Sequence, residues 1–288
     1  MTEATAALLF PVRPGIDFYC VVGNPIRHSL SPEIHRAFAE QFGHQIDYLR
    51  VELPKQGFAS GLAEFLAAGG CGMNVTVPFK EDAFAACESL TARALAAGAV
   101  NTISVQSDGR VLGDNTDGEG LVRDLKYNLG AQLEGASVLM LGAGGAARGV
   151  ITPLFEAGIA RLILLNRTPR RAEALAQRFA DFCIQSGGLE AVPDGPVSVV
   201  INATAGGLQG ERPQIDPGWL DARSFCYDMV YGPAARPFLD WGRAAGVARS
   251  ADGLGMLVEQ AAAAFALWRG QRPATGPVIK ALRVAAKS

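Results

Sequence analysis

SVLMLGAGGAAR, residues 137–148, joins an apolar run to a glycine-rich turn and so fixes the class of fold. A near-continuous apolar run leads into GAGGAA (142–147), and a helical pattern continues to about Ala157. Strand, glycine turn and helix in that order match G-x-G-x-x-G/A, with Ala147 in the last position. Gly142 permits the tight turn, Gly144 lets backbone approach a pyrophosphate, and the small last residue lets helix pack on strand. The helix that follows turns unpaired N–H groups toward an anion.

Farther along, ARLILLN (160–166), VSVVINAT (197–204) and FCYDMV (225–230) are further apolar runs, with a helix predicted from about Arg170. Such runs suit strands buried on both faces, so this region reads as a doubly wound α/β unit. Pro153 reads as a kink in the first helix. An NAD site usually offers a carboxylate at the end of the second strand, but here NRTPRR (166–171) has no acid until Glu173. A guanidinium at that position pairs bidentately with a 2′-phosphate, which points to NADP(H). The plain alternative is an exposed basic helix start, although cations sit poorly at the positive end of a helix dipole.

The front of the chain also alternates. DFYCVVG (17–23), IDYLRVEL (46–53) and GMNVTVP (72–78) read as strands, separated by helices from Ser31 and over about residues 55–68. Ser31-Pro32 is expected to open its helix, with Ser as the cap. AVNTISVQ (99–106) and RVLGDN (110–115) flank a turn and read as an antiparallel hairpin, giving a mixed sheet. An Ala-rich amphipathic helix is predicted from about Gly255 to Trp268, and a last helix from about Pro277.

Composition limits the function classes. Charged residues make up 19% of 288, against about 25% on average, and the 34 glycines exceed the usual share of about 7%. The formal charge of −2, from 26 basic and 28 acidic residues, gives no footprint for nucleic acid, so small molecules are the expected partners. Five cysteines with no C-x-x-C pair suggest neither a disulfide framework nor a zinc knuckle; they read as small buried hydrophobes in a reducing compartment. The apolar stretch 6–10 lacks the basic flank of a signal peptide, and no apolar run reaches membrane-spanning length. The chain therefore reads as cytoplasmic, with an extension of no assigned structure up to about Pro14.

Polar groups cluster in the front region. NPIRHSLSP (24–32) places Ser29 and Ser31 two apart after a strand, although turn and cap chemistry alone also accounts for them. In NVTVPFK (74–80), alternation sends Asn74, Thr76 and Pro78 to one face, and Lys80 follows where strand meets helix. GAVNT (98–102) and GDNTDG (113–118) bring amides, hydroxyls and carboxylates to strand ends. Asp and Asn beside Gly are ordinary loop residues, but open α/β sheets bind ligands at strand ends. A calcium loop fails for want of a bidentate Glu after Asp114 and Asp117. His28, His35 and His44 lack metal-ligand spacing, so no metal is expected.

NPIRHSLSP, GMNVTVPFK, GAVNT, GDNTDG, GAGGAAR, NRT, YDMVY (227–231) and DGLGMLVEQ (252–260) occur in the order seen in bacterial shikimate dehydrogenases, and the chain resembles that family from about Tyr19 onward. The resemblance implies an α/β protein of two lobes: an N-terminal mixed-sheet substrate domain and a Rossmann-like doubly wound NADP domain, with the active site in the cleft between them. It divides the chain into residues 1–117, completed by C-terminal helices over 252–288, and an inserted cofactor domain over 118–251. It implies reversible NADPH-dependent reduction of 3-dehydroshikimate to shikimate, on the route to chorismate and the aromatic amino acids; a monomer or homodimer is expected.

Position by position, the resemblance puts Ser29, Ser31, Thr76, Asn101, Asp117, Tyr231 and Gln260 on the substrate, with Lys80 as acid/base beside Asp117. Gly142, Ala143, Gly144, Gly145 and Ala146 are implied on the cofactor. Asn166, Arg167, Thr168 and Arg171, together with Met229 and Gly253, complete that set. The chain departs from the commonest pattern at Ala205-Gly206-Gly207, where a hydroxyl-rich stretch is usual. An unperturbed Lys titrates near about 10.4 and is charged at neutral pH, so it suits the acid role in ketone reduction. A quinate/shikimate or aminoshikimate-type dehydrogenase shares the scaffold, and a catalytically silent NADP-binding regulatory module is the alternative from another class.

Overall fold

A computed structural model describes residues 10, 13, 15–191, 195–204, 206, 210–211 and 215–286. Most of the expected amino-terminal extension, and Ala205 and Gly207 of the departing stretch, lie outside the described residues. The chain divides into two compact units, Met1–Thr116 with Ala261–Ala274, and Asp117–Gln260 with Thr275–Ser288. The division expected from the resemblance differs in three places. It falls one residue earlier, before Asp117, and both residues 252–260 and the last helix group with the second unit.

In the first unit, β1 (Asp17–Gly23), β2 (Ile46–Glu52), β3 (Gly72–Val75), β4 (Ser89–Leu90), β5 (Thr102–Val105) and β6 (Val111–Asp114) form one sheet in the order β2-β1-β3-β5-β6-β4. β1 pairs parallel with β2 and β3, whereas β5 runs antiparallel to β3 and β6, as expected of a hairpin inserted into a parallel frame. The helices are α1 (Ser31–Gln41), α2 (Phe58–Ala67), α3 (Lys80–Ala86) and α4 (Ala92–Ala97). Ser31 does not cap α1. Leu30 is the N-cap residue, and Ser31 is already helical, with its N–H donating to Ser29 Oγ (3.3 Å). Phe10, from the supposed extension, is buried against Phe18 and Phe65 (ring centroids 5.7 and 5.6 Å), so the core begins before β1.

The second unit has six parallel strands, β7 (Ser137–Leu141), β8 (Arg161–Leu165), β9 (Ile184–Gly187), β10 (Val199–Asn202), β11 (Phe225–Asp228) and β12 (Arg249–Asp252), ordered β12-β11-β10-β7-β8-β9. Alternation divides its apolar residues between two cores: Val138, Met140, Leu162 and Leu164 face one, Leu139, Leu141, Ile163 and Leu165 the other. Helices α5 (Asp117–Arg123), α6 (Gly145–Glu156), α7 (Pro169–Arg178) and α8 (Arg236–Ala244) belong here. Pro153, expected as a kink with no further role, packs where a Cβ on Gly118 would stand, so it seats α6 on α5.

Helix α9 (Leu254–Arg269) begins in the second unit and ends in the first. In the first unit its Trp268 stacks on Tyr19 (4.8 Å) and donates from Nε1 to Ile103 O (2.9 Å). That indole fills the space a side chain at Gly72 would need. Helix α10 (Gly276–Ala285) stays in the second unit, where Arg283 pairs with Asp252 (3.0 Å) and Thr275 Oγ1 donates to Glu259 Oε1 (2.6 Å). Of the five free cysteines, Cys20 and Cys226 are buried, as expected; Cys183 is exposed, and Cys71 and Cys87 are intermediate. Among the described residues no helix is long and apolar enough to cross a membrane, and no cluster of His, Cys, Asp and Glu could hold a metal ion.

Candidate active site

The first unit gathers its polar residues where β1, β3, β5 and β6 end. Asn24 N–H donates to Val77 O (3.0 Å), tying the serine turn to the loop after β3. Thr76 lies so close to Gly23 that a Cβ there would stand 2.6 Å from its Cγ2. Ser29 Oγ donates to Ser31 Oγ (3.2 Å), and Arg50 holds the turn from outside, with Nε donating to Ser29 O (2.6 Å) and Nη2 to Glu33 (2.5 and 2.6 Å). Two hydroxyls thus share one turn at the start of an eleven-residue helix.

Lys80 opens α3 on buried Phe79, and its carbonyl accepts the N–H of Val100 (2.9 Å). Asn101 is therefore the next residue along from a main-chain bond to Lys80. The Asn101 side chain is held in place: Nδ2 donates to Thr116 Oγ1 (3.0 Å), while Oδ1 accepts Thr116 N–H (2.9 Å) and Thr102 Oγ1–H (2.9 Å). Beneath it, Tyr48 OH donates to Asn74 Oδ1 (2.6 Å), and Asn74 Nδ2 donates to Thr102 Oγ1 (3.1 Å). Burial pushes the Tyr48 phenol well above its ordinary value, so it stays a neutral donor. Neither Tyr48 nor this chain of bonds is suggested by the sequence; a Tyr in an alternating strand reads as core.

Asp114 is not a ligand-facing carboxylate. Its side chain is 1% exposed and accepts from Arg93 Nε and Nη2, Thr91 Oγ1 (each 2.6 Å) and Asn115 N–H (2.7 Å). Burial raises its pKa, but the hydrogen bonds from Arg93 and Thr91 outweigh that and hold it below the usual carboxylate range. Asp114 thus anchors the loop that leads to Asp117, the first residue of α5 and itself buried. The expectation that GDNTDG as a whole faces a hydroxylated ligand narrows to its later residues.

The second unit has the predicted cofactor turn. Gly142 has φ +102°, a left-handed conformation that favours glycine, and a Cβ there would also meet Thr204 Cγ2 at 3.0 Å. Beyond Gly144 and Gly145 there is open space, and α6 has neither a side-chain cap nor an acid in its first turn. A pyrophosphate fits that cradle, because the uncapped N–H groups need an acceptor. Asn166 braces the turn: its Oδ1 accepts Ala143 N–H (3.2 Å), and its Nδ2 donates to Thr168 O (3.0 Å). Ala143 N–H is therefore already paired. Arg167, Arg170 and Arg171 are exposed around the start of α7, and their guanidinium groups make no hydrogen bond or ion pair among the described residues. That arrangement suits a 2′-phosphate.

The remaining expected residues divide as follows. Met229 and Gly253 approach so closely that the Met229 carbonyl occupies the place of a Cβ on Gly253. Tyr231 precedes a short 3-10 turn, Gly232–Ala235. Gln260 Nε2 donates to Leu257 O (3.2 Å), and its Cβ fills the space beside Gly120. Ser29, Ser31, Thr76, Lys80 and Asn101 thus lie in the first unit, and Asp117, Tyr231 and Gln260 in the second.

Comparison with known proteins agrees with these features. Family models match residues 21–103 (shikimate dehydrogenase substrate binding domain), 124–206 (shikimate / quinate 5-dehydrogenase) and 253–283 (shikimate 5′-dehydrogenase C-terminal domain). A protein of Alkalilimnicola ehrlichii named shikimate dehydrogenase (NADP(+)) is 52% identical over 93% of this chain and 98% of its own. Among solved structures, an Ael1 enzyme of Pseudomonas putida is 41% identical over 92% of this chain and 98% of its own, with a TM-score of 0.87. A shikimate 5-dehydrogenase of Thermus thermophilus, solved with NADP(H) and shikimate, is 34% identical over 94% of this chain and 100% of its own, with a TM-score of 0.82. The glycine turn with its NRT brace and the Lys80 to Asn101 strand ends lie within those matches, and the chain belongs to the shikimate dehydrogenase family.

Proposed function

We propose that this chain catalyses the reversible NADPH-dependent reduction of 3-dehydroshikimate to shikimate. The observation that carries the reading is the bond from Val100 N–H to Lys80 O, which joins the backbone of Lys80 to the residue before Asn101, on strand ends held by buried hydrogen bonds. NADPH, when bound, supplies a hydride to the ketone carbon. Lys80 Nζ–H delivers the proton that the carbonyl oxygen needs as it becomes an alkoxide, and takes it back in the oxidising direction. Asp117 is the second member of this acid/base pair.

Ser29 and Ser31 offer adjacent hydroxyl donors suited to the substrate carboxylate. Thr76, Asn101, Tyr231 and Gln260 hold ring hydroxyls. Gly142, Gly144, Gly145 and Ala146 carry the pyrophosphate, and Arg167 and Arg171 the 2′-phosphate, with Asn166 and Thr168 shaping that turn and Met229 and Gly253 lining the nicotinamide end. Five cysteines without a disulfide support a reducing, cytoplasmic setting. We take the chain to act as a monomer or homodimer, which light scattering distinguishes.

The test is NADPH absorbance on mixing the protein with shikimate and NADP⁺. Oxidation releases one proton, so the equilibrium toward ketone rises about tenfold per pH unit. Lys80→Ala is expected to bind shikimate yet lose at least about a hundredfold in turnover. Absence of NADPH formation from neutral pH to about pH 10 overturns the reaction. Near-normal turnover by Lys80→Ala removes Lys80 from the chemistry.

A further inference from the structure

β7, β10, β11 and β12 end in register on Leu141, Asn202, Asp228 and Asp252. Gly142, Ala203-Thr204, Met229-Val230 and Gly253 come next; Gly142, Met229 and Gly253 are assigned above to the cofactor, and Ala203-Thr204 lies against Gly142. Two polar side chains are buried in the middle of this row, Asn202 at 3% and Asp228 at 0% exposure. Asn202 Nδ2 donates to Asp228 Oδ2 (2.9 Å), and Asn202 Oδ1 accepts both Thr204 N–H (3.1 Å) and Thr204 Oγ1–H (2.7 Å). Asp228 Oδ1 accepts Val230 N–H (2.9 Å).

Building on the assigned NADP(H) dependence, we propose that Asn202 and Asp228 are a positioning pair for the cofactor, setting the Thr204 segment against Gly142 and the Met229-Val230 segment against Gly253. Thr204 Cγ2 is the group a Cβ at Gly142 would meet, and Gly253 N–H donates to Val230 O (2.9 Å), so each bond of the pair ends one step from a cofactor segment. Burying the two side chains unpaired is costly; each uses one polar atom on the other and one on the loop that follows its own strand. Burial pushes the Asp228 carboxyl up to about 6, with Asp252 on β12 adding to that and Asn202 and Val230 N–H opposing it; at neutral pH it remains the acceptor both bonds require.

Polarity gives a clean test. In Asp228→Asn an amide nitrogen replaces one carboxylate oxygen, so it faces either Val230 N–H or the Asn202 amide donor to donor, or Asn202 flips and loses Thr204 N–H; each arrangement breaks one bond of the pair. In the exchange variant, Asn202→Asp combined with Asp228→Asn, every donor again meets an acceptor. The amide introduced at position 228 donates to the carboxylate introduced at position 202, which still accepts from Thr204. Binding is read by NADPH fluorescence without substrate, beside KM for shikimate at saturating NADP⁺ and the thermal midpoint.

Asp228→Asn is expected to weaken NADPH about tenfold, equivalent to about 1.4 kcal/mol, with KM for shikimate within about twofold of the parent. The exchange variant is expected to restore binding. Wild-type affinity in Asp228→Asn, equal losses for both ligands, or a folded exchange variant that still binds weakly would each overturn the proposal. If Asp228→Asn does not fold, the exchange variant alone decides. Failure of both to fold makes the pair a folding element and also overturns it. A wild-type protein that binds NADPH but does not oxidise shikimate refutes the assigned reaction and leaves the pair to be judged on binding; one that does not bind NADPH refutes both.

Discussion

Replacing Arg93 by Met isolates the cost of leaving the Asp114 carboxylate without its cation. Asp114 is 1% exposed and has four donors, two of them on Arg93. Met keeps most of the apolar stem and removes both charge-assisted bonds, leaving Thr91 and Asn115. Breaking a buried ion pair by removing one partner costs about 3–5 kcal/mol. Arg93 is itself 36% exposed, so water takes over part of its role and the lower end applies, about 3 kcal/mol. That is a large share of a stability of about 5–15 kcal/mol.

The protein has three tryptophans, and Trp219 and Trp241 lie in the second unit. Changing both to Phe leaves Trp268 to report the first unit during urea unfolding. With m of about 2 kcal/mol/M, Arg93→Met should lower the midpoint by about 1.5 M at neutral pH. Asp114 is held below its unfolded pKa, so its contribution is present above about pH 4 and is lost as pH falls through the folded value. The difference between parent and variant should therefore shrink in acid. A midpoint shift below about 0.5 M, or the same shift in acid as at neutral pH, refutes this account.

His35 is wholly buried and stacked on Tyr48 (4.4 Å, 10°), and burial takes its pKa down to about 3. Its neutral form thus contributes stability that is present above about pH 6.5 and lost as pH falls toward 3, about 2 kcal/mol by pH 5; His35→Phe should flatten that slope in unfolding measured across the range. Arg167→Ala and Arg171→Ala should each raise KM for NADPH about tenfold or more while leaving KM for NADH nearly unchanged, and parallel losses with both cofactors would remove the 2′-phosphate role. Gly72→Ala sets a methyl group against the Trp268 indole, so thermal unfolding should show a loss of about 1–3 kcal/mol; an unchanged midpoint would mean that the ring moves without cost.

The second unit was legible because each buried strand is an apolar run of its own and the glycine turn sits between strand and helix. The strands absent from the sequence reading, β4, β9 and β12, are short and rich in polar residues, and each lies at a sheet edge. Edge strands pair on one side only, so their composition resembles that of loops. Lys80, Asn101 and Asp117 could be picked out because their types stand out at strand ends. Tyr48 and Arg93, which help hold those strand ends, have no such mark.

Periodicity, glycine turns and the order of motifs are local, and they determined by themselves the two α/β sheets, the family and the cofactor class. Pairing across long stretches of chain decided the rest: that Asn24 and Val77 join two loops, that Arg93 meets Asp114, that Asn202 meets Asp228, and that α9 runs from the second unit into the first while α10 groups with the second. A buried polar side chain has to find a partner wherever the backbone brings one, and that partner's place in space is set by the packed sheet and not by the neighbouring sequence.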